Sequence, residues 1–177
     1  MTKMTTQSGK HFDLETVNPE LIDIEDIAHG LTFLCRANGH TCLFYSVAQH
    51  SIACAREAIC RDHSQVVVLA CLLHDASEAY MADISCPLKQ HLPQYLQWEG
   101  KLQSTIYQHF LGRLLTNEEY NQVKAIDNQM LSLEFQQLMP EAKDQDYQLL
   151  LRDHTCQVEP FNDVKAEFLA LFADYCL

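Results

Sequence analysis

Apolar residues recur along this chain at three- and four-residue steps, and strict alternation is scarce; that period belongs to helices. Ile24, Ile27, Ala28, Leu31 and Leu34 make one such face, Leu102, Ile106 and Phe110 another, and Val164, Phe168, Leu169 and Phe172 a last one. The run from Val66 to Leu73 is apolar throughout, as in a helix enclosed on every side. Helix starts are marked by Asn18 before Pro19, Ser64 ahead of the apolar run, Thr116 with Glu119 as a capping box, and Asn162. The pattern predicts an all-α, compact single-domain bundle of about six or seven helices over residues 10–177. Residues 1–9 are polar and are expected to form a flexible tail, and residues 10–16 allow a short extended pair.

Ionisable residues interrupt these apolar faces at three places. The Val66–Leu73 run ends on His74-Asp75, and Glu78 follows one helical turn after His74 on the same side. His50 shares a face with Val47 and Cys54, and Asp127 falls among Val123, Ile126, Met130 and Leu131. Each has a plain alternative: a hydrated helix end, a hydrogen-bonded core histidine, a salt bridge. Burying a carboxylate without an opposite charge is costly, and a divalent metal is the simplest partner that serves all three helices at once. His50, His74, Asp75 and Asp127 offer two imidazoles and two carboxylates. That set suits one divalent ion among Mn, Fe, Co, Ni, Zn and Mg. Glu78 is then a spare carboxylate beside it, the arrangement of a metal-assisted hydrolase.

The order His50, His74-Asp75, Asp127 resembles the H…HD…D signature of the HD-domain metal-dependent phosphohydrolases. The flanks extend the likeness over roughly residues 10–140, through Asp26-Ile27-Ala28-His29, Cys35-Arg36-Ala37-Asn38-Gly39-His40-Thr41, Tyr45-Ser46-Val47-Ala48-Gln49-His50-Ser51, Leu73-His74-Asp75-Ala76-Ser77-Glu78-Ala79-Tyr80, Asp83-Ile84 with Pro87-Leu88-Lys89, and Asp127 with Glu134 and Leu138-Met139-Pro140. The branch so marked is similar to bacterial 5′-deoxynucleotidases and phage deoxynucleoside triphosphate hydrolases, without choosing between them. The resemblance implies the all-α fold and hydrolysis of a (deoxy)nucleotide ester or anhydride by a water activated at the metal. It makes Glu78 the helper carboxylate and Asp83 a second acid, where a turn cap is the alternative for Asp83. It places Arg36 on the substrate side, where a guanidinium fork suits phosphate and a surface ion pair is the alternative. His40 is a substrate contact or a turn cap, and Lys89 a phosphate contact or a solvated lysine. His91 and His109 lie in polar contexts, which favours one metal over the two-iron oxygenase branch of the fold. That oxygenase and a non-catalytic nucleotide-binding module are the competing readings.

Composition narrows the partners. The 177 residues carry 12 Lys and Arg against 24 Asp and Glu, a net charge of −12. Such a surface repels nucleic-acid polymers but tolerates a small phosphorylated substrate met by a metal and a few local cations. No apolar run approaches a membrane span, and the first ten residues have no signal-like apolar stretch. The eight cysteines include no Cys-x-x-Cys pair, so reduced, core-filling thiols and a cytoplasmic location are expected. A second copy of the chain is admitted as a partner.

Overall fold

The computed structural model describes residues 3–139 and 150–176. Two short strands, β1 (Lys3–Thr5) and β2 (His11–Asp13), pair antiparallel with Met4 opposite Phe12. The helices are α1 (Ile24–Phe33), α2 (Val47–Cys60), α3 (Gln65–Leu73), α4 (Glu78–Met81), α5 (Cys86–Lys89), α6 (Pro93–Leu111), α7 (Asn117–Leu138) and α8 (Phe161–Tyr175). The fold is compact and mostly helical, as the periodicity predicts.

The apolar run is the centre of the bundle. Val67 to Leu73 are all buried, and α3 packs against α2, α6, α7 and α8. A helix surrounded in this way has no polar face to spare, so His74 and Asp75 at its end are the first side chains able to leave the core. Helix α2 lies alongside and is started by a capping box in which the Ser46 hydroxyl accepts from Gln49 N and Gln49 Oε1 accepts from Ser46 N. Thr116 and Glu119 make the expected box on α7, and Ser64 caps α3. Gly30 of α1 lets α4 approach closely: a Cβ there would sit 3.0 Å from the Ala79 Cβ. The residue after Glu78 is thereby pressed against α1, which fixes where α4 begins.

Three local readings differ from the structure. Residues 3–9 are not a loose tail: Ser8 donates through its amide and hydroxyl to the two carboxylate oxygens of Asp26, at 2.8 and 2.7 Å, and ties the β1–β2 turn to α1. The Asn18-Pro19 start yields only a 3-10 turn over Pro19–Leu21, and α1 starts afresh at an Asp23 cap. Helix α8 begins at Phe161 after Pro160, so Asn162 lies inside it and does not cap it. Pro140, at the end of the Leu138-Met139-Pro140 motif, lies outside the described residues.

Candidate metal centre

Four ligand-type atoms converge where α2, the end of α3 and α7 meet. His50 Nε2 is 3.2 Å from His74 Nε2 and 3.2 Å from Asp127 Oδ1. His74 Nε2 is 3.3 Å from Asp75 Oδ2 and 3.6 Å from Asp127 Oδ1, and His50 Nε2 is 3.9 Å from Asp75 Oδ2. His50 comes from α2, His74 and Asp75 from the turn that follows α3, and Asp127 from α7.

Each imidazole is held by its far side. His50 Nδ1 lies 3.0 and 2.9 Å from the two oxygens of the buried Glu134. His74 Nδ1 donates to the Cys71 carbonyl at 2.7 Å. With both Nδ1 atoms engaged, only the Nε2 atoms can hold an ion, and both face the same point. A carboxylate or carbonyl behind each histidine is the usual support of a metal-bound imidazole. Asp127 and Glu134 stand seven residues apart on one face of α7, so a single helix supplies a candidate ligand and the support of another.

The electrostatics also call for a cation here. Burial lowers the proton affinity of His50 and His74, yet the surrounding carboxylates overcome it and raise both above the ordinary histidine value. Burial pushes Asp75 and Asp127 up, and the imidazoles pull both far below the usual carboxylate range. Without metal the cluster gathers protons to offset its carboxylates, and a dication can replace them. The residues therefore fit a divalent ion.

Cys54 joins this group from one turn along α2. Its Sγ is 3.6 Å from His50 Nε2, and the ligand atoms of His50, Cys54 and His74 all lie within 4.8 Å of one another, so these three could hold a metal ion. In the sequence this thiol reads as core filling, because its neighbours at helical spacing are apolar.

Of the remaining predicted site residues, Arg36 and Glu78 stand close to the cluster and Lys89 lines the cavity beside it. Glu78 is buried; its Oε1 accepts from Lys89 Nζ at 3.2 Å, and its Oε2 has no hydrogen-bond partner among the described residues. Burial, then Asp75 and Asp83, push its carboxyl up to about 9. The Lys89 ammonium opposes this only in part, because it is shared with the closer Glu99 oxygen at 2.6 Å. Asp83 follows Ala82 just after α4 and is partly buried. Arg36 is buried, with Nη1 3.4 Å from Asp75 Oδ2, Nη2 3.7 Å from Glu134 Oε2, and Nε without a hydrogen-bond partner among the described residues. Its turn is shaped by left-handed backbone at Ala37, Asn38 and Gly39 (φ 51°, 53° and 77°), and His40 at the end of that turn is exposed. His91 and His109 are exposed as expected.

A cavity of about 290 Å³ opens beside the cluster, with His74 and Asp75 in its wall. Lys89, Glu99, Gln103, Tyr107, Tyr120 and Lys124 are also in its wall. Lys124, which the sequence reading passed over, reaches Asp127 Oδ2 at 2.6 Å. A lysine one turn before an aspartate reads as a solvated helix pair, so only the fold reveals that it faces the cavity. No described helix is long and apolar enough to cross a membrane.

No protein-family model matches the chain. It is 41% identical over 110 residues to "Uncharacterized protein YfdR" of Escherichia coli (strain K12), a match covering 62% of this chain and 59% of that protein. It is 36% identical over 138 residues to "Uncharacterized protein RCAP_rcc00048" of Rhodobacter capsulatus, covering 74% of this chain and 70% of that protein. The chain thus spans less than two thirds of the length of YfdR and rather more of the second relative.

Proposed function

This chain belongs to the family of the Rhodobacter capsulatus protein RCAP_rcc00048, and we propose that it is a metal-dependent phosphohydrolase of the HD-domain type acting on a (deoxy)nucleotide. The observation that carries the reading is the convergence of His50, His74, Asp75 and Asp127, with both imidazoles turned Nε2-inward. His50, His74, Asp75 and Asp127 would hold a divalent ion, which would supply Lewis-acid polarisation of a phosphoryl oxygen and an acidified water.

The chain's own groups do the rest. Asp75 and Asp127 cancel the charge of a dication, so a phosphate can still approach. Glu134 and the Cys71 carbonyl keep the imidazoles in the orientation that exposes Nε2. Glu78, whose carboxyl is pushed by burial up to about 9 in the metal-free protein, can carry a proton to the leaving oxygen. Asp83 helps hold that proton on Glu78 by its negative charge. Lys89 and Lys124 stand in the cavity wall as phosphate contacts. Arg36 is a third cation; its terminal nitrogens face Asp75 and Glu134, and its buried Nε has no hydrogen-bond partner among the described residues. The cavity is near the small end of ligand pockets, which run roughly 300–1,000 Å³. That size suits a small phosphorylated molecule.

The test is a panel of nucleotide mono-, di- and triphosphates offered to metal-stripped protein reloaded with Mn, Co, Zn or Mg, read as phosphate or pyrophosphate release. Release on at least one nucleotide that depends on added metal supports the reading. Nucleotide binding without release under every metal would favour a binding module instead.

A further inference from the structure

We propose that Cys54 gives this centre a second binding mode, a closed four-coordinate site of His50, His74, Asp127 and Cys54 that is taken by thiophilic ions such as Zn²⁺ and Cd²⁺. The proposal rests on the reading of the cluster as a metal centre. Zinc bonds of roughly 2.0–2.1 Å to nitrogen and 2.3 Å to sulfur, at tetrahedral angles, set nitrogen and sulfur roughly 3.6 Å apart and two nitrogens roughly 3.3 Å apart. The structure has 3.6 Å between Cys54 Sγ and His50 Nε2, and 3.2 Å between the two Nε2 atoms. Asp127 Oδ1 lies 3.2 and 3.6 Å from those nitrogens, edges that suit the same polyhedron. Asp75 is 3.9 Å from His50 Nε2, so it is the carboxylate that falls outside such an arrangement.

The donor chemistry separates two classes of ion. Hard ions such as Mg²⁺ and Mn²⁺ prefer the oxygens of Asp75 and Asp127 and gain little from sulfur. Soft and borderline ions gain a thiolate bond: the S–H bond of Cys54 breaks, the proton leaves to solvent, and the sulfur pair bonds the metal. Cys54 is one helical turn from His50 on the same helix and fully enclosed, with its Sγ 3.6 Å from His50 Nε2 and within 4.8 Å of the His74 ligand nitrogen. Four protein donors on a tetrahedral ion leave no position for a phosphate oxygen or a water. The zinc-loaded state is therefore the inactive one, and the identity of the bound metal sets the activity.

The full chain is stripped, reloaded with Cd²⁺ or Co²⁺, and examined for thiolate-to-metal charge-transfer absorption in the near ultraviolet. Zn²⁺ and Mn²⁺ affinities are then measured by competition with a chromogenic chelator for the parent, Cys54→Ser and Cys54→Ala. The expected result is a charge-transfer band in the parent that is lost in both variants, and a Zn²⁺ affinity reduced by at least roughly tenfold, the lower bound for losing a metal-supporting group, with Mn²⁺ affinity unchanged. Absence of the band in metal-loaded parent overturns the proposal even if a variant fails to fold. Equal Zn²⁺ affinity in parent and variants overturns it while leaving the four-residue centre intact. Failure of the parent to bind any of these ions overturns the centre and the proposal together.

Discussion

His50 and His74 point their Nε2 atoms at each other across 3.2 Å, and each has its Nδ1 engaged on the opposite side, by Glu134 and by the Cys71 carbonyl. With both Nδ1 atoms donating on their far sides, two Nε2 lone pairs face each other, and something positive between them relieves the repulsion. A shared proton serves without metal, and a dication serves when one is bound.

The support behind His50 yields the first prediction. Glu134→Gln keeps an acceptor for Nδ1 but removes its charge. Metal affinity should fall by roughly 10–100-fold, the usual effect of weakening such a partner, while the helical content stays that of the parent. Calorimetric titration with Mn²⁺ checks it; unchanged affinity would show that His50 is oriented by packing alone.

Arg36 lies between Asp75 and Glu134, so its substitution separates two roles. As a bridge between carboxylates, Arg36→Ala should cost about 3–5 kcal/mol of stability, as when one partner of a buried ion pair is removed, and should weaken metal binding. Arg36→Lys should recover part of both. As a phosphate contact only, either variant would raise KM and leave the melting temperature and metal content alone. Thermal melts read beside steady-state kinetics distinguish the two.

Lys124 should act on substrate and not on metal. Lys124→Ala removes a cation from the cavity wall and releases Asp127 from its pair, so metal content should be retained. The specificity constant should fall by roughly 10- to 150-fold, the worth of a charge-assisted hydrogen bond of about 1.5–3 kcal/mol. Elemental analysis and kinetics on the best substrate check the pair of outcomes. Loss of metal would make Lys124 a support for Asp127 instead.

Glu78 can be read from stability alone. Its folded pKa is raised from 4.5 to about 9, so the folded state binds more protons than the unfolded state between those values. Stability from this group is present below the unfolded pKa and is lost as pH rises through the folded one. In chelator-treated protein, Glu78→Gln should therefore melt increasingly above the parent as pH climbs across that interval. A gain of at least about 2 °C at the alkaline end is expected, the effect of about 1 kcal/mol in a chain of this size. A difference that stays flat with pH would mean that Glu78 is ionised in the fold and paired to Lys89.

The helices and the four convergent residues were legible because each breaks a rule that neighbouring residues keep. His50 and Asp127 interrupt apolar faces, and His74-Asp75 ends a run with no polar side. Glu134 entered only through the family likeness, since a glutamate two turns after Asp127 looks like ordinary helix surface. Cys54 and Lys124 were hidden for opposite reasons: a thiol among alanines and isoleucine reads as core, and a lysine near an aspartate reads as solvent. The short extended pair expected over residues 10–16 covers β2 but not its partner β1, whose pairing was hidden because its anchor, Asp26, lies eighteen residues from Ser8.

Counting metal and turnover together decides whether the four residues form a working metal centre. Metal-stripped protein is titrated with Mn²⁺ while phosphate release from the best nucleotide is followed, in the parent and in Asp127→Ala. Release should rise from zero, saturate at one ion per chain, and be absent in Asp127→Ala at the same metal concentrations. Full release from stripped protein, or from Asp127→Ala, would contradict it.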